Sequence, residues 1–164
     1  MRPMKLHIIT TGGTIDKIYF DAKSDYQVGE PVIGDLLEKM AVGFPFTVES
    51  AMRKDSLDMT NQDRLELLAT VNHSDHHYIL IIHGTDTMDV TAEYLADAEL
   101  EKSIVLTGAM VPYSIDPVEA TANLCSAYGF MSALKEEGIF IAMNGVIGPY
   151  DKVKKDRVKG RFSL

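Results

Sequence analysis

Cysteine is nearly missing from this chain: Cys125 is the single one among 164 residues. One thiol cannot build an intramolecular disulfide framework, and it suits a reducing compartment, so a cytoplasmic home is expected. Positive charge is also scarce. Sixteen Lys and Arg face 24 Asp and Glu, a formal net charge of -8 at pH 7. Nucleic acid and anionic membranes are bound through clustered Lys and Arg, so neither is an expected partner. The one basic run, Lys152-Val153-Lys154-Lys155-Asp156-Arg157, is short and interrupted by an acid. By charge alone it reads as a solvated strand or tail. No apolar stretch approaches the length of a membrane span. The N-terminal Met1-Arg2-Pro3-Met4-Lys5 is basic, but the apolar run after it is strand-length and ends in Gly-Gly without a cleavage-type site. It is expected to be a first strand rather than a secretion signal.

Cofactor motifs are lacking too. No Gly-x-Gly-x-x-Gly follows a strand and no Gly-x4-Gly-Lys-Ser/Thr occurs, which leaves dinucleotide and triphosphate loops without support. His73, His76 and His77 have near-ligand spacing but no cysteine nearby, and polar histidines before a strand read as solvated. No metal and no cofactor is expected. The nine methionines are scattered and read as core filler.

What is present is alternation. At 46% hydrophobic the chain can bury a sizeable core. Strand-like runs fall at Leu6–Thr10, Phe46–Met52, Tyr78–Ile82, Ser103–Thr107 and Ile139–Met143. Helices are expected from Ile33 to Met40, after Thr60 as cap with Asp63 three residues on, and after Asp116 as cap with Pro117 and Glu119. Leu65, Leu68 and Val71 suit the buried face of the second of these. Val90, Tyr94, Leu95 and Ala98 recur at helical spacing after residue 88, and Leu124, Ala127, Tyr128, Met131 and Leu134 form a later stripe. Lys17–Phe20 reads as a short extended piece, and the polar stretch from Asp21 to Gln27 as a mobile surface loop. There is no repeat and no internal linker. The pattern predicts one α/β domain over residues 1–164, a doubly wound, mostly parallel sheet flanked by helices.

Two threonine-bearing loops carry the chemistry. Thr11-Gly12-Gly13-Thr14-Ile15-Asp16 follows the first apolar run, and His83-Gly84-Thr85-Asp86-Thr87-Met88-Asp89 follows Tyr78–Ile82. Ile- and Leu-rich runs ending in Gly and Thr read as buried parallel strands delivering polar loops to the ligand end of the sheet. A hydroxyl needs a base or proton relay to act as a nucleophile. Thr14 and Thr85 are candidate nucleophiles, and Lys155 and Asp86 candidates for the relay. The N–H groups of Gly12-Gly13 could stabilise an oxyanion. Bland alternatives stand beside these: Thr14 as a turn residue bonded to its own backbone, and Thr85-Asp86 as a helix cap.

The two loops resemble the paired signatures of the bacterial-type L-asparaginases, Thr-Gly-Gly-Thr-Ile and His-Gly-Thr-Asp-Thr-Met, in the right order. Supporting matches are Tyr26 within Ser24–Gly29, Asp55-Ser56-Leu57-Asp58-Met59, Thr107-Gly108-Ala109-Met110-Val111-Pro112, and Lys155 counted without gaps from Met143-Asn144. The resemblance implies an amidohydrolase that converts L-asparagine and water to L-aspartate and ammonia. Thr14 would attack the side-chain amide to form an acyl-enzyme. Thr85 and Lys155 would relay protons and activate water, with the order of the two threonines open. Tyr26 would orient Thr14 and close a lid. Asp86 would pair with the α-ammonium, Ser56 would bond the α-carboxylate, and the Ala109 carbonyl would accept from the leaving amide. Gly13, Asp58 and Gly84 would complete the substrate-binding set.

Departures from the family pattern carry their own expectations. Val111 stands where Arg is common and Leu57 where Gln is common. The usual members have a second C-terminal domain, so this chain resembles the short single-domain members. A partner subunit's surface is then expected to close the site of a homo-oligomer, dimer or tetramer. L-Gln, one methylene longer, is expected to be a poor substrate. The alternative in a different class is a silent amino-acid-binding or regulatory subunit of the same fold.

Overall fold

Strands that are apolar at every position need both faces covered. The computed structural model describes residues 4–164 and covers both; residues 1–3 of the basic N-terminal segment lie outside the described residues. In chain order the elements are β1 (Leu6–Thr10), β2 (Lys17–Phe20), β3 (Asp25–Val28), α1 (Ile33–Lys39), β4 (Phe46–Ser50), α2 (Asn61–His73) and β5 (Tyr78–Ile82). Then follow α3 (Met88–Ala96), β6 (Ser103–Thr107), α4 (Pro117–Ala133), β7 (Gly138–Met143), β8 (Val146–Pro149), β9 (Lys154–Asp156) and β10 (Arg161–Ser163). The main sheet has the order β4-β1-β5-β6-β7-β8. Its first five strands pair in parallel and β8 runs antiparallel to β7.

Period-two alternation divides each strand between two cores. Leu6, Ile8, Leu80, Ile82 and Val105 pack with Leu36 and Leu37 of α1 and with Leu124 and Met131 of α4. Ile9, Ile79, Ile81, Ile104 and Leu106 pack with Leu67 and Val71 of α2 and with Met88 and Leu95 of α3. Helices therefore cover both faces, as expected for a doubly wound α/β sheet.

Several local expectations need adjusting. In α2 the buried face is Arg64, Leu67 and Val71, while Leu65 is exposed. The Thr60–Asp63 capping box forms, and Lys54 Nζ grips Asp63 at 2.8 and 3.0 Å, which fixes the rotation of the first turn. In α3 the buried face is Met88, Thr91, Ala92 and Leu95, and Val90 and Ala98 are exposed. Glu119 makes no capping box with Asp116; the Asp116 side chain accepts from the Val118 N–H instead. The polar stretch after Phe20 is not an open loop but the return strand of an antiparallel β2–β3 hairpin. Asn144 and Gly145, at φ 55° and 76°, turn β7 directly into β8. That is the two-residue hairpin Asn-Gly favours.

Asp16 ties the base of the β2–β3 hairpin to the body. Its carbonyl accepts from the Gly29 N–H at 2.9 Å and its Oδ1 from the Val32 N–H at 3.0 Å. Oδ2 is buried without a partner among the described residues. Burial raises the carboxyl to about 6, against the opposing effects of the Val32 N–H and Arg53. A carboxyl whose folded pKa is raised favours the fold in its neutral form. Its relative stabilisation is complete below the unfolded value and lost as pH rises through about 6. Asp16→Asn is thus expected to melt above the wild type at pH 8, by up to about 3 kcal/mol, with the gap closing towards pH 4. Thermal melts across this range check it; a gap independent of pH would contradict it.

Candidate active site

The strand order places the site. From β1 the chain moves outward to β4, then returns to the other side of β1 as β5. The crevice outside the carboxyl ends of β1 and β5 is therefore the switch point at which open α/β sheets bind ligands. Both threonine loops leave there. Thr11 ties them at their root, its N–H and its hydroxyl both donating to the Ile82 carbonyl at 2.9 Å.

Glycine brings the loops closer than side chains permit. Gly13 has φ 98°, and a Cβ there would lie 2.7 Å from both Cα and N of Gly84. A Cβ on Gly84 would lie 2.8 Å from Cβ and Oγ of Ser56. Three segments, after β1, β4 and β5, thus meet backbone to backbone. Neither Gly12 nor Gly13 donates its N–H to a protein acceptor among the described residues. Those groups are available to an anionic oxygen.

Above this junction sit Thr85, Asp86 and Lys155. The Lys155 amine donates to Thr85 Oγ1 at 2.8 Å and to Asp86 Oδ1 at 2.9 Å. Arg157 donates to the same Oδ1 at 3.0 Å and to the Asp86 carbonyl at 2.8 Å. The hydrogen bond from Lys155, aided by Arg157 and opposed by partial burial, holds the Asp86 carboxyl below the usual range. Lys155 is delivered by the β9–β10 hairpin. Buried Val153 and Phe162 anchor that hairpin, and the Phe162 N–H donates to Asn144 Oδ1 at 2.9 Å. The run read by charge alone as solvated places one of its lysines inward. Thr85 and Asp86 do not cap α3 either: the N-cap is Thr87, with no side-chain cap bond.

A buried hydrogen-bond chain stiffens the second loop. Arg64 donates from Nε to Thr91 Oγ1 at 3.0 Å and from Nη2 to Thr87 Oγ1 at 3.0 Å. Thr87 passes its proton to the Ser56 carbonyl at 2.9 Å. His83 lies between Thr91 Oγ1 and the Gly84 carbonyl, both at 2.7 Å. A carbonyl only accepts, so Nδ1 carries the proton and Nε2 accepts from Thr91. Complete burial, against the pull of the Gly84 carbonyl, lowers His83 to about 4, so the ring is neutral. The loop after β6 is held by Glu119, whose carboxylate accepts the N–H groups of Met110 and Val111 at 2.8–3.0 Å. Asn123 donates to the Gly108 carbonyl at 2.9 Å.

The structure brings together Gly13, Ser56, Gly84, Thr85, Asp86 and Lys155. Thr14 is half-buried next to Gly13, and its hydroxyl has no hydrogen-bond partner among the described residues. Its turn-residue alternative would need such a bond. Ser56 Oγ accepts from the Thr87 N–H at 3.2 Å. Ala109 is buried in the loop after β6. Tyr26 and Asp58 line a cavity of about 490 Å³ beside the junction, with Lys17, Arg53 and Asp55. The Tyr26 ring packs edge-on against Tyr19, at 5.5 Å between centroids. A larger cavity, about 620 Å³, lies at the opposite ends of the strands, by His77 and Tyr78. His73 bonds the Ala69 carbonyl and His76 pairs with Asp75, so these two histidines have separate partners. Sequence reasoning missed Arg64, Arg157 and Glu119. Arg64 carried a usable signal, a charged residue in line with Leu67 and Val71.

Comparison with known proteins identifies the family. The family model described as Asparaginase, N-terminal, matches residues 5–161. The chain belongs to the asparaginase family. One relative, named probable L-asparaginase periplasmic, of Haemophilus influenzae, is 32% identical over 157 residues, 90% of this chain and 45% of that protein. A glutaminase-asparaginase of Pseudomonas aeruginosa is 34% identical over 106 residues, 60% of this chain and 29% of that one. The solved thermostable L-asparaginase from Thermococcus kodakarensis superposes with a TM-score of 0.83 at 25% identity, over 98% of this chain and 51% of that chain. The chain spans about half the length, or less, of the asparaginase relatives it matches.

The glycine junction makes a mutational prediction. Gly13→Ala combines a strained positive φ with a backbone clash, and is expected to cost about 2–5 kcal/mol together with most activity. Gly145→Ala has a positive φ but nothing within 4 Å of the added carbon. It should lose only about 1 kcal/mol. Equal melting shifts for the two would show that the close approach to Gly84 is not limiting.

Proposed function

We propose that this asparaginase-family domain, residues 1–164, hydrolyses the side-chain amide of L-asparagine to L-aspartate and ammonia through a threonine acyl-enzyme. The observation that carries the reading is the Lys155 amine, within hydrogen-bond distance of both Thr85 Oγ1 and Asp86 Oδ1 at the switch point. A binder would need a carboxylate there, but not a hydroxyl wired to an amine.

The steps balance as a hydrolysis. Thr14 Oγ attacks the amide carbon, the C–N bond breaks, and the hydroxyl proton ends on the departing nitrogen as ammonia. The free N–H groups of Gly12 and Gly13 suit the oxyanion of the tetrahedral intermediate. Water then attacks the ester, its proton passing through Thr85 to Lys155 acting as a neutral amine. The ester C–O bond breaks, and that proton returns to the Thr14 oxygen, regenerating its hydroxyl and releasing L-aspartate. Asp86 takes the α-ammonium, and Ser56, Asp58 and Gly84 bound the α-carboxylate end. The Ala109 carbonyl accepts from the leaving amide, and Tyr26 closes over the site when the β2–β3 hairpin moves in. Two anchored charges position the amide before reaction. A homo-oligomer, dimer or tetramer, belongs to this reading, since a neighbouring surface would complete the site.

A second order of events has an observation of its own. Thr85 is the threonine with the amine attached, whereas the Thr14 hydroxyl stands without a partner. That makes Thr85 the alternative first nucleophile, with Thr14 polarising the amide.

Ammonia release from L-asparagine by purified protein tests the reading directly, and its absence would favour the silent binder. Thr14→Ala should cut turnover by orders of magnitude with the fold intact. Lys155→Met should lower turnover far more than substrate affinity; a structural lysine would instead lower the melting temperature at constant activity per folded molecule. For L-glutamine, one methylene displaces the amide from Thr14. Discrimination of roughly 10–200-fold in favour of L-asparagine is expected from kcat/KM at one pH. Equal constants would show a pocket that adjusts to the longer chain.

A further inference from the structure

Asp86 is crowded with hydrogen-bond donors before any substrate arrives. Its Oδ1 accepts from Lys155 at 2.9 Å and from Arg157 at 3.0 Å. Lys155 is explained by its bond to Thr85. Arg157 touches neither threonine; its second bond goes to the Asp86 carbonyl, so one guanidinium spans the carboxylate and main chain of one residue. The turn that carries it is held by local hydrogen bonds. Asp156 Oδ1 accepts the N–H groups of Val158 and Lys159 at 3.0 Å, and its carbonyl accepts from Gly160, at φ 65°, at 2.8 Å.

We propose that Arg157 is a specificity-determining residue that competes with the substrate's α-ammonium for Asp86, shifting the site's preference towards amides that lack this ammonium. The inference rests on the assignment of Asp86 to the ammonium. With Arg157 on the carboxylate, an arriving ammonium meets a local charge one unit more positive than Asp86 and Lys155 alone present. It must share Asp86 or displace the guanidinium. Lys155 has only 13% of its side chain exposed and is held by two bonds, whereas Arg157 has 61% exposed. Arg157 is therefore the cation that yields. Exposure also limits the effect, because solvent screens such pairs to about a fivefold change in binding. An amide with a carboxylate but no α-ammonium does not compete, and gains from the positive charge instead.

The test compares L-asparagine with succinamate, its analogue without the amino group, in wild type, Arg157→Gln and Arg157→Lys. Both substrates share the carboxylate and the amide, so the ratio of their specificity constants cancels any general loss of positive charge. Arg157→Gln is expected to raise the asparagine-to-succinamate ratio about fivefold, with the change in KM rather than kcat. Arg157→Lys, which keeps the charge but not the fork, should fall between. Calorimetric Kd values for L-aspartate and succinate should shift in the same direction. An unchanged or lowered ratio would overturn the proposal, as would failure of both dicarboxylates to bind. Binding that follows the expected pattern while wild type hydrolyses neither amide would support Arg157's role and refute the amidohydrolase reading.

Discussion

The close approach of Gly13 to Gly84 is the constraint on which the site depends. Two parallel strands can deliver two loops to one crevice without the loops touching. Here the absence of a Cβ at both positions, with Ser56 packed behind Gly84, removes the space that side chains would hold open. The threonine loops become one surface. The positive φ at Gly12 and Gly13 is part of the same arrangement, a backbone conformation that side-chain-bearing residues rarely adopt.

Onto that rigid floor the chain adds charge from a distant segment. Lys155 is seventy positions from Thr85 and reaches it only because the β9–β10 hairpin is pinned by Val153 and Phe162. The result is an amine one hydrogen bond from both a hydroxyl and a carboxylate. Behind them, Arg64, Thr91 and a neutral His83 fill the core with polar groups that satisfy each other. A buried network of this kind is costly when broken and rigid when whole. It supports the loop that carries Thr85 without touching the reacting atoms.

Much of this was legible in the sequence because the strands are unmixed runs. Leu6–Thr10, Tyr78–Ile82 and Ser103–Thr107 declare burial on both faces, and the capping residues Thr60 and Asp116 mark their helices. The family resemblance then named most of the residues of the proposed site. What the sequence hid were long-range polar pairings. Leu65 looked like core by type, yet the stripe runs through Arg64, whose guanidinium finds three oxygens that no periodicity reveals. Arg157 was invisible for the same reason, since its partner lies in another loop. Lys17–Phe20 reads as extended from sequence and is β2, whereas its return strand β3 is hidden because it is half-exposed and lacks the two-sided apolar pattern.

The central claim is that the first threonine loop supplies the nucleophile, positioned by its glycine contact with the second. Acid quenching during turnover of L-asparagine, followed by proteolysis and mass spectrometry, tests it most directly. The account predicts an aspartyl ester on the peptide that contains Thr14. An ester on the Thr85 peptide, or steady ammonia release with no ester on either, would contradict it.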